Sequence, residues 1–482
     1  MALHRPRSIP VPSVRLPCTP GPGPDPESTI STPLESSPRL RVCHECDLVS
    51  TLPELDCSEN AHCPRCHHVL AARKRAPAQH SLALAIASVV ALIAAISFPF
   101  ISFSASGLSR EISLTDAISI LSTGRYALLA IVLWMVLLLL PLIYLGLVIV
   151  LHASLMTGRS PPLAALMMRA VRHFEQWMMG DVFLIGVLVS LVKILSLASV
   201  GFGVSFWAFC LFVVLMLLLT RSIDRDWLWE RIAVEPAPPS HLRPGLSGRT
   251  QQVAGCIACG CPNDCSPAPP NHCRRCGETL HLRRRHSLQK TLALLLVSVI
   301  LYVPAMTLPI MTVSGFSDTA TQTIMGGVLL LLDHGDYPIA AIIFIASVVV
   351  PVAKLMALAW LCFRVRRPAP FNPEIRTRLY RITEFIGRWS MIDVFVVALL
   401  AALVRLGSLM SVEAEPGIIA FGAVVILTMI AAMSFDPRLI WDGAEDDSAD
   451  PSPNERPLPN SFPSPNIHRA PGASDEPEGA GQ

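Results

Sequence analysis

The chain has 482 residues, 52% of them hydrophobic and 15% charged, with a mean hydropathy of +0.51. That balance excludes a purely water-soluble globule, because so much apolar surface has to face lipid. A net charge of +2, with no long run of like charge, gives no footing for nucleic-acid binding.

Residues 1–40 are rich in Pro and Ser and lack an apolar stretch ahead of a small-residue cleavage site, so they are expected to be disordered and not a secretory signal. A cysteine-bearing module is expected over 41–75. A first transmembrane repeat follows over 80–222, with apolar spans at about 82–100, 126–151, 181–199 and 203–220. A linker, 223–252, leads to a second cysteine module over 253–282. The second repeat, 286–441, has spans at about 288–308, 338–363, 392–410 and 417–435. The fourth and eighth spans are the shortest, which leaves open hairpins that enter from one side. The tail, 442–482, is again expected to be disordered.

Lys and Arg cluster before spans one and five, between spans two and three and spans six and seven, and after spans four and eight. The loops at the other end carry Asp318, Asp333, Glu413 and Glu415 instead. The positive-inside rule then predicts that both termini and the 221–287 segment are cytoplasmic.

The two groups of four spans are copies. Pro99 aligns with Pro309 and Pro141 with Pro351, 210 residues apart in each case, while Trp177, Asp181 and Lys193 fall on Trp389, Asp393 and Arg405. Four crossings return the chain to its starting side, so the repeat is parallel, related by a pseudo-two-fold axis along the membrane normal.

Each copy is preceded by two C-x-x-C pairs: Cys43, Cys46, Cys63 and Cys66, then Cys256, Cys259, Cys273 and Cys276. Two such knuckles suit one tetrahedral Zn²⁺ held by four thiolates, with iron as the lesser metal alternative. Cys261 and Cys265 in the second set, and Cys57 in the first, leave the ligand identities open. Four protein ligands leave no open coordination position, so the modules are expected to be structural or docking domains.

The spans also hold charge. Asp181 and Asp393 open spans three and seven, and Lys193 and Arg405 lie twelve residues on, about 18 Å along a helix. Acid at a helix start and cation toward its end suit the helix dipole, and a long cation can snorkel to the interface, so a plain structural account stands beside a transport role. Lys in one copy and Arg in the other point to a fixed positive charge. Lys354 lies deeper, three residues after Pro351, where the first copy has Tyr144. A cation at that depth marks a functional site, with Asp181 or Asp393 as its expected counter-ion.

The expected fold class is therefore an all-α polytopic membrane protein: two tandem four-helix transmembrane repeats, each preceded by a small cytoplasmic zinc-ribbon or rubredoxin-like module. Tandem four-Cys modules ahead of four-span blocks, with W-x-x-x-D-V-F opening the third span at Trp177–Phe183 and again at Trp389–Phe395, resemble the paraquat-inducible protein A family (PqiA/LetA). The likeness covers about 41–441; the Pro-rich extensions and the surplus Cys261 and Cys265 depart from it. The resemblance implies a Gram-negative inner-membrane protein of an intermembrane lipid-trafficking system, working with a periplasmic MCE-domain partner that forms a tunnel, and zinc on the eight cysteines named.

A membrane thiol redox protein and a passive anchor for a periplasmic partner are the competing functions. No H-E-x-x-H and no G-x-x-x-x-G-K-[ST] is present, and no Ser-His-Asp set stands out, so no enzyme is expected. Coupling would then come from protons, through Lys354 and an Asp.

Overall fold

The computed structural model describes residues 39–446 and 466–469, apart from 106–107, 117–118, 120–126, 159–160, 162, 195–198, 266–270, 315–318, 334, 336, 366–372, 393 and 397–410. One plan runs through it twice. The first copy consists of α1 (Pro77–Ser97), α2 (Ala130–Met156), an amphipathic α3 (Ala164–Glu175) continuing into α4 (Gly180–Ile194), and α5 (Val204–Ser222). A short helix, α6 (Arg225–Ile232), begins the linker. The second copy has α7 (Ser287–Thr307), α8 (Ala340–Val365), α9 (Pro373–Trp389) and α10 (Pro416–Ser434), and is closed by α11 (Leu439–Asp446).

Among the described residues, seven helical stretches are long and apolar enough to cross a membrane. The fourth and eighth expected spans are among them, each a 19-residue helix, so length alone gives no reason to treat them as half-crossings. The expected seventh span, 392–410, lies mostly outside the described residues. Span three is described as helix as far as Ile194, and by Ser199, the last residue expected in the span, the chain is a strand.

That strand belongs to a feature the apolar pattern did not announce. After α1 the chain forms a hairpin, Ile101–Ala105 with Leu108–Ile112, and Ser199–Phe202 pairs on its other side. The second copy repeats this with Met311–Ser314, Thr319–Gln322 and Ser411–Ala414. Each three-stranded sheet ties the end of the copy's first span to the start of its last. Gly203 and Gly417 sit at these junctions: a methyl group on either would overlap backbone carbonyl oxygens, of Pro99 and of Pro309 respectively. The chain therefore needs glycine there.

The cysteine modules are small antiparallel hairpins, Arg39–Val42 with Val49–Leu52 and Glu59–His62 with Val69–Ala72, then Val253–Gly255 with Pro262–Asp264 and Asn271–His272 with Thr279–Leu280. Asn466–Arg469 adds a strand beside Glu59–His62, inside the tail that composition marks as disordered. Both modules and α11 lie at one end of the helices, and the two three-stranded sheets at the other.

One large apolar cluster crosses the two copies. Phe183 of α4 meets Phe395 edge to face at 5.7 Å, and Gly186 lets the same segment approach closely, since a methyl on it would lie 3.3 Å from the Phe395 Cβ. Outward faces of the spans carry exposed Val90, Ile93, Trp207, Leu296, Val303 and Phe363. Lipid is the medium that covers such faces.

In both copies the second span holds a π-helical turn, Met135–Leu139 and Ile345–Val349, just ahead of Pro141 and Pro351. A proline lacks the amide hydrogen and its ring crowds the preceding turn. Widening that turn, with Leu140 N–H bonded to the Met135 carbonyl and Val350 N–H to that of Ile345, accommodates it within a continuous helix.

Candidate functional site

Each cysteine pair sits on a tight knuckle. The residue after the second cysteine, Asp47, His67, Gly260 or Gly277, has φ between 60° and 72°, and its amide bonds back to the carbonyl of the first cysteine, at 2.8–3.0 Å. Glycine adopts this conformation freely, and Asp tolerates it. The turns bring together two sulfur clusters, Cys43, Cys46, Cys63 and Cys66, and Cys256, Cys259, Cys273 and Cys276, all eight side chains buried and the four sulfurs of each cluster within 4.8 Å of one another.

Cross-pair Sγ···Sγ distances are 3.5 Å in both clusters. Four sulfurs at about 2.3 Å from a tetrahedral Zn²⁺ would stand roughly 3.8 Å apart, so the donor sets fit such an ion by number, chemistry and spacing. The surplus cysteines stand outside these groups: Cys261 Sγ faces the Pro262 carbonyl oxygen at 3.5 Å, and Cys265 and Cys57 belong to neither cluster.

The modules dock crosswise. The first, which precedes the first copy, buries its cysteines against Tyr380, Phe435, Ile440 and Trp441 of the second copy. Arg381 of α9 binds the Glu45 carboxylate and donates to the Cys66 carbonyl at 2.8 Å, while Arg65 lies over the Trp441 ring at 4.5 Å. The second module packs on Leu151, Ala164 and Met168 of the first copy and on Trp229 of α6. There Arg169 pairs with Glu278 at 3.3 Å, and Arg172 donates to the Ile257 carbonyl inside a knuckle.

Arg283 bridges Asp47 of the first module to Asp442 of α11, at 2.9 and 2.6 Å. Just below, Arg438 holds Asp436 through two bonds of 2.9 Å. Burial works to raise the Asp436 carboxyl, but the Arg438 guanidinium outweighs it and the carboxyl lies below its ordinary value. For Asp47, burial wins over Arg283 and the carboxyl is raised.

Between the copies, at the module end, lies a cavity of about 330 Å³ walled by Arg172, Glu175 and Arg225 from the first copy and its linker, and by Arg381, Glu384 and Gly387 from the second. Lys354 is 3% exposed, and its ammonium has no hydrogen-bonding partner among the described residues. It points toward Gly387. Asp181 lines a separate, mostly apolar cavity of about 110 Å³ beside the π-turn of α2, with Glu175 and Pro141. Lys354 and Asp181 are thus not brought into a pair. Lys193 lies on the last turn of α4, while Asp393 and Arg405 lie outside the described residues. Inspection of single residues missed Glu175 and Gly387; the repeat alignment was the signal that marks them, as positions two residues before the paired tryptophans.

A family model described as paraquat-inducible protein A matches residues 78–233 and again 288–445, one match per copy. The intermembrane transport protein PqiA of Escherichia coli K12 is 41% identical over 403 residues, which cover 83% of this chain and 95% of that protein. A probable intermembrane transport protein of Haemophilus influenzae is 28% identical over 418 residues, 85% of this chain and 98% of its own. The lipophilic envelope-spanning tunnel protein A of Escherichia coli K12 is 28% identical over 407 residues, 84% and 92% respectively. No solved structure matches the chain. With both copies matched and a relative aligned over most of its length, the chain belongs to the paraquat-inducible protein A family.

Proposed function

We propose that this multi-pass membrane protein lies in a Gram-negative inner membrane with both termini and both cysteine modules in the cytoplasm, and that it moves or loads phospholipid or a similar amphiphile into a periplasmic tunnel built by an MCE-domain partner. Its relatives bear the names of transport proteins and of an envelope-spanning tunnel protein, and none of the named relatives is called an enzyme. The Arg-rich module end supports the orientation.

The observation that carries the reading is Lys354: an ammonium buried in a span, without a partner among the described residues, facing Gly387, which itself lines a cavity between two copies of the fold. Desolvating a charge without a partner is costly, and spans retain such groups where a substrate or ion path needs them. The coupling proposed is to protons, through Lys354 and one acid of a third span, Asp181 or Asp393; Lys193 and Arg405 supply fixed positive charge further along. The eight cysteines hold two structural zinc ions, which stiffen the modules and take no part in chemistry.

The test is transfer of a fluorescent phospholipid from liposomes containing the purified protein to the MCE partner. Lys354→Ala is expected to reduce transfer at least about tenfold, the effect of losing one charge-assisted contact. Wild-type transfer by that variant would remove Lys354 from the path.

A further inference from the structure

The cavity of about 110 Å³ beside the π-turn of α2 lies wholly within the first copy, where α4 begins and against the second half of α5. Val136, Leu137, Phe212, Val213 and Met216 make most of its wall, and the carboxylate-bearing Asp181 reaches it directly. Leu217 belongs both to this wall and to the lipid-facing side of α5: it is 45% exposed, beside the exposed Val214 and Leu218. The cavity therefore borders on lipid.

The second copy differs at both edges of this place. The paired tryptophans set Ile392 where the first copy has Gly180, and the glycines that open the last spans, Gly203 and Gly417, set a fully buried Ala431 where it has Leu217. Gly180 keeps the first-copy space open. A methyl group on it would meet only the side chains of Val213 and Phe212, at 3.7 and 3.9 Å, and a longer side chain would enter the space that those two residues wall.

The polar groups around this space are acceptors. Among the described residues no hydrogen bond or ion pair engages the Asp181 carboxylate, whereas Glu175 is held by Arg225 at 2.5 Å. Thr220 donates its hydrogen to the Leu217 carbonyl at 3.0 Å, which leaves oxygen lone pairs. Pro141 has no N–H, so the carbonyl four or five residues before it, of Leu137 or Val136, lacks its helical donor, and both residues wall the cavity. A carboxylate among neutral acceptors calls for a cation that donates hydrogen bonds. A hard metal ion would need about six oxygens, more than these apolar walls supply. A quaternary ammonium has no hydrogen to donate and is held by aromatic faces, but among the described residues no Trp or Tyr walls the cavity. A primary ammonium carries its donors on one compact group.

We propose that this cavity seats the primary ammonium of an amphiphile, an ethanolamine phospholipid, which enters from the lipid face of the first copy, with Asp181 as its counter-ion and Gly180 as the residue that makes room for it. This deepens the transport reading given above and rests on it for the phospholipid nature of the ligand. Sites that enclose a whole ligand run to roughly 300–1,000 Å³, so this one takes the head alone and leaves the acyl chains on the outer side of α5.

Binding of dioctanoyl phosphatidylethanolamine and dioctanoyl phosphatidylcholine to the full-length protein in neutral detergent micelles tests this, because the two lipids differ only in the groups on nitrogen. The wild type is expected to bind the ethanolamine lipid at least about tenfold more tightly, and Asp181→Asn to erase that preference. Gly180→Ile, which installs the second copy's residue and leaves every charge in place, should erase it too. Thermal melting and metal content of each variant report whether it is folded. Equal binding of the two lipids by the wild type overturns the seat whatever the variants do, as does an unchanged preference in either folded variant. Phosphoethanolamine bound without chains as tightly as the lipid overturns the assignment to an amphiphile. Lipid transfer measured alongside separates the two readings: transfer by a wild type that shows no preference sinks the seat alone, whereas an Asp181-dependent preference without any transfer sinks transport alone.

Discussion

Asp436 and Arg438 close the turn after α10, and their pairing has a measurable acid limb. The Asp436 carboxyl, 2% exposed, also accepts the Arg284 amide at 3.1 Å, so it secures α7 and α10 together. Its pKa in the folded protein lies below the ordinary value of 3.8, so its contribution is fully present above about pH 4 and is lost as pH falls through the lower folded value. Melting temperature followed by intrinsic fluorescence should therefore hold from pH 7 to pH 5 and drop below pH 4. In Asp436→Asn the drop should be shallower and the whole curve lower, by about 3 kcal/mol for a buried guanidinium left without its partner. An acid limb as steep in the variant as in the wild type would contradict this assignment. Gly417 makes a second prediction at the same scale. The atoms a new methyl would meet belong to the backbone of Pro309 and Leu308, so rotamer changes cannot relieve the overlap. Gly417→Ala should destabilise the second copy by at least about 1–3 kcal/mol, seen as a lower melting point with unchanged metal content.

Long helices with a lipid-facing surface were legible in the sequence because a span is a crude signal: some 20 apolar residues suffice whatever their order. The cysteine modules were legible for the opposite reason, a rigid spacing imposed by tetrahedral coordination. Neither signal reaches the three-stranded sheets. Strands of four or five residues such as Ile101–Ala105 and Ser199–Phe202 pair across about a hundred positions, and their alternation is too short to stand out beside the spans. The π-turns escaped as well, since a proline in a helix announces a disturbance but not whether the chain kinks, breaks or widens. At the charged site, Lys354 stood out by its depth, whereas Gly387 is defined by what it lacks and emerges only once the copies are superimposed. The metal knuckles yield the prediction that belongs to elements. Purified protein should contain about two zinc ions per chain, and Cys46→Ser should lower this to about one, because the clusters share no ligand. Metal analysis with thiol counting decides it, and a full complement of reactive thiols with no bound metal would favour redox chemistry instead.

Crosswise docking makes the whole molecule more than two copies in series. Each module precedes one copy and packs its cysteine cluster on the other, while the first module also holds α6 through Arg41–Asp226 and Arg73–Glu230, so the metal clusters brace the copies against each other at the module end. The links are direct: Arg381 and Arg172 both line the cavity between the copies, and each reaches out of it to a backbone carbonyl of a knuckle, of Cys66 and of Ile257. Releasing one metal should therefore loosen the opposite copy more than the copy next to it in the chain. In Cys46→Ser, hydrogen exchange is expected to rise about tenfold or more over 377–381 and 435–441, where the first module sits, with 164–169 little changed, because loss of the cluster removes folding free energy from the docked module. In Cys259→Ser the pattern should reverse, rising over 164–169 and around Trp229 and sparing 435–441. Exchange measured by mass spectrometry on the intact protein in micelles distinguishes the arrangements, since docking of each module on its own copy would produce the mirror image of this result. Uniform loosening in both variants would mean that the clusters hold up the fold as a whole without linking particular copies.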